Sequence, residues 1–244
     1  MKRCPGSLFF TQPKPEIVSC PDCGADVELW SDEPSSQCPA CGRMVIRKVG
    51  PSCVDWCRFA KECLGDEKFK RYGEMKATMR KNTLMQAVAD LLEGDKYGQA
   101  EMKKVVAYAE AILAGEASAD PNVVIAAAAL SPMVQRLPGG RAALASTPAG
   151  ASPGTLQVRK LLAGIDYPQS FAESVLQTLR GGPGPDGEET ANCKILHDAE
   201  QLAKAEHRQR RTGPAAPGEE FLATLRTPTA RRVAAELGSF MAGD

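Results

Sequence analysis

The segment Asp120-Pro-Asn-Val-Val-Ile-Ala-Ala-Ala-Ala-Leu130 reads as a helix whose start is marked in the sequence. Asp is a favoured cap, and Pro suits the first helical position, where its missing N–H has no partner to lose. From Val123 onward there is no polar face, so this helix belongs at the centre of a helical bundle rather than on its surface. It is far short of the roughly 20 apolar residues that cross a bilayer, and no longer apolar run occurs in the chain.

Working outward, amphipathic periodicity continues on both sides. Leu84, Val88, Leu91 and Leu92 share one face, and Met102, Val105, Val106, Ala109 and Leu113 share another in a helix from Gln99 to Leu113. After Leu130, residues 131–154 are rich in Pro, Gly, Ala and Ser and read as a loop. Helices are expected again at Leu156 to Ala163, Pro168 to Leu179, Glu188 to Arg208, Phe221 to Leu225 and Thr229 to Leu237, with no strand among them. The helix at 188–208 carries Ile195, Leu196, Ala199 and Leu202 on its apolar face.

The first quarter of the chain is different. Eight of the nine cysteines precede residue 64. Cys20-Pro-Asp-Cys23-Gly24 and Cys38-Pro-Ala-Cys41-Gly42 are two copies of one turn, each pointing two sulfurs at a common centre. Four thiolates suit tetrahedral zinc at about 2.3 Å and leave no open coordination position, so the expected role is structural. Val27 to Trp30 reads as a strand, Asp32 to Ser36 as a turn, and Met44 to Arg47 as the pairing strand; together they resemble a zinc ribbon. Cys53, Cys57 and Cys63, with Cys4 as a fourth partner, form a second set open to two readings. They hold zinc or an iron–sulfur cluster, or they are small buried side chains packed with Trp56 and Phe59.

Between head and body, Asp66 to Lys81 carries Lys68, Lys70, Arg71, Lys76, Arg80 and Lys81 against three acids. It reads as a solvated connecting helix, with a nucleic-acid contact as the sharper alternative. The organisation expected is therefore a cysteine-rich zinc-binding module over 1–65, a basic connecting segment over 66–81 and a helical domain over 82–244. Thirty basic residues balance thirty acidic ones, which gives no general attraction for nucleic acid or an anionic membrane. The short Leu8-Phe-Phe10 patch lacks the length of a signal-peptide apolar region, so a cytoplasmic location is expected.

Several stretches of the body carry a family resemblance: Lys104 to Glu110, Val124 to Leu130, Leu156 to Tyr167, Phe171 to Arg180, Asn192-Cys-Lys-Ile-Leu-His-Asp198 through Leu202, and Thr227 to Leu237. In that order, from about residue 82 to 238, they resemble the HD-domain superfamily of metal-dependent phosphohydrolases. The resemblance implies a mainly α, HD-like helical bundle behind the small β zinc-ribbon module. In that family imidazoles and carboxylates converge on metal ions that activate water against a phosphate. Carried over residue by residue, the resemblance puts Glu101 at the first His position, Ser131-Pro132 at the His-Asp pair and Gly181-Gly182 at a His-His pair. Only Asp198 retains the family's residue. His197 adjoins Asp198 but points about 100° away on a helix, Cys193 is similarly misdirected, and His207 reads as a lone surface histidine.

The reading that follows is a non-catalytic zinc-binding protein with a degenerate HD-like domain used for regulation or for binding an unspecified protein or small molecule. One alternative is a phosphohydrolase acting on a nucleotide or phosphate ester around Glu101 and Asp198. The other is a nucleic-acid-binding ribbon using Lys68 to Lys81.

Overall fold

The structure is a computed structural model that describes residues 12–47, 53–55, 57–144, 146–147, 150–181, 188–212 and 218–240. It is mainly α, with a small strand module ahead of the helices. The chain divides into two compact units, Met1–Thr83 and Leu84–Asp244, and the division falls inside one long helix.

The first unit opens with two antiparallel hairpins. Strand β1 (Pro15–Ser19) pairs with β2 (Asp26–Trp30), and β3 (Ser35–Gln37) pairs with β4 (Met44–Ile46). This corrects the sequence reading in two respects. Met44–Ile46 pairs with Ser35–Gln37, which overlaps the turn expected at Asp32 to Ser36, and β2 pairs not with Met44–Ile46 but with β1, whose short pattern the sequence does not mark. Pleat alternation turns Val27 and Leu29 inward, where Val27 packs with Cys20, Cys38 and Val45. Arg47 ties the two hairpins together: its guanidinium donates to the carbonyls of Leu29, Trp30 and Glu33 and pairs with Glu16.

A short helix, α1 (Ala60–Leu64), precedes α2 (Asp66–Leu91). Val54, Ala60, Leu64, Tyr72 and Met75 form a separate small core, with Cys53 and Cys57 partly buried against it. Asp55 accepts from the Tyr72 hydroxyl and from Lys76, which anchors the preceding turn to α2.

The second unit is a helical bundle: α3 (Lys96–Leu113), α4 (Pro121–Arg136), α5 (Pro153–Ala163), α6 (Gln169–Arg180), α7 (Ala191–Thr212), α8 (Glu219–Thr224) and α9 (Pro228–Phe240). Helix α4 is central, buried almost continuously from Val123 to Val134, and packs against α3, α6 and α7. Its start is capped as the sequence implies: the Asp120 carboxylate accepts from the backbone of Asn122 and Val123. Its end is not where the sequence places it. The helix runs through Ser131 and Pro132 to Arg136, because helices on several sides hold it where local propensity would stop it. The stretch beyond is also more ordered than a plain loop: a 3₁₀ turn spans Gly140–Leu144, and Ser146–Thr147 pairs with Gly150–Ala151, two strands where none were expected. Leu84, Val88 and Leu92 are buried as their spacing implies, but Leu91 is 52% exposed. No described helix is long and apolar enough to cross a membrane.

Candidate metal centre

The two knuckles fold alike because each is closed by the same pair of backbone bonds. Gly24 N–H donates to Cys20 O and Gly42 N–H to Cys38 O, both at 2.9 Å, while Cys20 and Cys38 N–H reach the carbonyls of Ala25 and Arg43. Gly24 and Gly42 have φ of 73° and 74°, a left-handed backbone that side chains with a Cβ resist. The repeated C-P-x-C-G signal is thus a repeated three-dimensional turn.

The turns bring the four ligand atoms of Cys20, Cys23, Cys38 and Cys41 within 4.8 Å of one another. Sγ of Cys20 lies 3.6 Å from Sγ of Cys41, and Sγ of Cys23 lies 3.6 Å from Sγ of Cys38. A disulfide would need about 2.05 Å, so these are unbridged sulfurs. Four sulfurs at about 2.3 Å from one tetrahedral ion stand about 3.8 Å apart, close to what is seen. Cys20 and Cys38 face inward and Cys23 and Cys41 outward.

The thiols bear on one another electrically. Backbone N–H groups led by that of Cys41 bring the Cys38 thiol down to about 7. Cys41 has a backbone N–H of its own from Arg43, which favours the thiolate, yet the neighbouring Cys23 sulfur and burial push it up to about 12. Cys38 favours the thiolate while its neighbours oppose it at Cys41, and a bound cation would relieve that opposition.

The second cysteine set is not assembled in this way among the described residues. Cys57 N–H donates to Cys53 O, Cys63 is exposed near the end of α1, and the three do not converge as the first four do. Cys4 and Trp56 lie outside the described residues. In the connecting helix, Arg71 pairs with Asp32, Lys76 with Asp55 and Lys70 with Glu74, so these three cations of the basic segment are neutralised within the first unit.

In the second unit, the described positions marked by the family resemblance have protein partners. Asp198 is fully buried on α7. Its Oδ1 accepts from Arg226 N–H at 2.9 Å, and its Oδ2 accepts from the N–H and the hydroxyl of Thr227, both at 2.8 Å. Thr227 in turn accepts from Ala230 N–H, so the carboxylate fixes the start of α9. Ser131 is buried on α4 and donates to Glu200, which also receives Gln135 and Arg141. Glu101 pairs with Arg136 at 3.1 Å, and Arg136 also binds Asp95 and donates to Pro132 O. Gly181 is the left-handed C-cap of α6, and Gly182 lies outside the described residues. Asp198 and Glu200 are two apart on α7 and face opposite ways, one toward α9 and the other toward α4. Among the described residues, the four cysteines are the only His, Cys, Asp and Glu group drawn together around a common point.

Cys193 is buried with its thiol near Thr178 O at 3.8 Å. His207 is less isolated than its sequence position suggests. It packs edge-on to Tyr97 with ring centroids 4.7 Å apart and lines a cavity of about 30 Å³ with Glu101, Lys104 and Lys204. Beside it, Glu206 pairs with Lys104 at 2.5 Å and accepts from the Tyr108 hydroxyl. Burial alone would raise the Glu206 carboxyl, but Lys104, Tyr108 and Arg210 outweigh it and hold it below the usual range. A depressed carboxyl stabilises the fold above its unfolded pKa, and that stabilisation is lost as pH falls through the folded value. Glu206→Gln should therefore flatten the acid limb of a thermal-stability-against-pH profile, while leaving the profile's shape between neutral and mildly alkaline pH unchanged.

No family model and no curated protein matches the chain. Among solved structures, it is similar to the crystal structure of Bacillus subtilis YpgQ, with 17% identity over 68% of this chain and 92% of that chain, at a TM-score of 0.45.

Proposed function

We propose that this chain is a zinc-binding protein whose helical unit is a degenerate HD-like bundle serving regulation or binding rather than catalysis. The observation that carries the second half is the environment of Asp198. A carboxylate that is to hold a catalytic divalent ion needs lone pairs free and other donors turned toward it. Here both oxygens accept hydrogen bonds from the Arg226–Thr227 backbone and the Thr227 hydroxyl, deep in the core. The other marked positions, Glu101 and Ser131, are engaged with Arg136 and Glu200. Their chemistry is that of packing and capping.

Zinc is the metal proposed because four soft thiolates at tetrahedral spacing select it over the harder cations that oxygen donors prefer. Metal analysis of the purified chain should give one zinc per molecule. A second zinc, or iron with labile sulfide, would assign metal binding to Cys4, Cys53, Cys57 and Cys63 as well.

The catalytic alternative is tested on the full chain, incubated with manganese, nickel or magnesium and a panel of nucleotides and phosphate monoesters. The expected turnover is no higher than that of Asp198→Asn. A metal-dependent hydrolysis that this substitution abolishes would overturn the proposal.

A further inference from the structure

The β1–β2 hairpin presents an outer face that nothing in the first unit's chemistry explains. Alternation turns Val18, Val27 and Leu29 toward the interior and leaves Pro15, Ile17, Asp26, Glu28 and Trp30 outside. The register sets Trp30 opposite Pro15 and Glu28 opposite Ile17, so Ile17 is also the diagonal neighbour of Trp30. Diagonal pairs lie within reach of an aromatic side chain. Ile17 is 63% exposed and Trp30 42%. Single exposed apolar residues are ordinary; three that adjoin on one strand pair form a small apolar patch.

Charge narrows the occupant. Asp26 and Glu28 stand on this same outer face, Glu28 directly opposite Ile17 and Asp26 two residue pairs further along. Neither forms an ion pair with a described residue, whereas Glu16, on the inner face, is held by Arg47. Two carboxylates without an ion-pair partner among the described residues repel a phosphate backbone and an anionic membrane alike. They also oppose self-pairing of the face, which would bring like charges together. The geometry points to a docking site for a basic peptide segment of a partner protein. One apolar side chain of that segment lies across Ile17 and Trp30, and a Lys or Arg reaches Asp26 and Glu28. This inference is independent of what the helical unit does. The patch is small and its charges are open to solvent, so binding is weak and falls with added salt.

The test uses the full metal-loaded chain and fluorescence anisotropy of two labelled short peptides, one alternating Leu with Lys, the other Leu with Glu. The Lys peptide should bind and the Glu peptide should not. Ile17→Ala and Trp30→Ala should each weaken binding about tenfold or more, as central anchors do. The double variant Asp26→Asn, Glu28→Gln should weaken it and flatten its salt dependence. Metal content reports whether each variant keeps the ribbon; if Trp30→Ala loses metal, Ile17→Ala and the charge variant decide. Absence of Lys-peptide binding, equal binding of the Glu peptide, or unchanged binding in variants that retain metal would overturn the inference.

Discussion

If the cysteine centre holds the proposed zinc, Cys38→Ser should bring bound metal to near zero and dissolve the ordered hairpins of the first unit. The serine hydroxyl stays protonated at neutral pH and cannot supply the anionic donor that Cys38 supplies. The sulfur it replaces is also the most acidic of those that are shifted, at about 7. Little apolar surface surrounds the sulfurs: the cluster there is Val27 and Val45 with Cys20 and Cys38, aided by Val18 and Ala25. Binding of structural zinc contributes about 10–16 kcal/mol in comparable peptides, which is folding free energy in such a module. Far-ultraviolet circular dichroism should change little, because the helices of the second unit rest on their own core. Limited proteolysis should newly cleave between residues 12 and 47, and a strong chelator should reproduce the effect in the unaltered chain. A Cys38→Ser protein that retains one tightly held zinc and resists protease there would refute the assignment of ligands.

The cysteine centre was legible in the sequence because its geometry is local. Each C-P-x-C-G turn carries its own glycine, its own backbone closure and two sulfurs, and nothing distant is needed to orient them. Helix α4 was legible at its start for the same reason, with Asp120 and Pro121 adjacent to what they cap. Its end was hidden. Pro132 is a stop signal by local rules, and only the helices packed around residues 123–134 carry the chain past it. Strand β1 is hidden in the sequence because Pro15 to Ser19 is short and three of its five residues face outward, so its pattern emerges only against β2. The engagement of Asp198 was beyond any reading of motif, since its partners stand 28 and 29 residues further along.

Asp198→Ala should lower the stability of the second unit by about 3–5 kcal/mol. Three hydrogen bonds converge on a carboxylate with no solvent exposure, and a bond to a charged group is worth about 1.5–3 kcal/mol. Deletion leaves the backbone N–H groups of Arg226 and Thr227 without their acceptor at the very point where α9 begins. Leu225 and Ala230, both buried beside that turn, would lose their placement with it. Asp198→Asn should fall between the two proteins, since its amide oxygen can keep one acceptor site while its NH₂ group faces donors. Chemical denaturation followed by circular dichroism measures the order directly: unaltered chain, then Asn, then Ala. The same series separates a structural carboxylate from a catalytic one. A capping role ranks the variants by stability whatever metal is added. A metal-binding role would make the unaltered chain alone gain stability from manganese, and that result would return Asp198 to the chemistry its sequence position suggests.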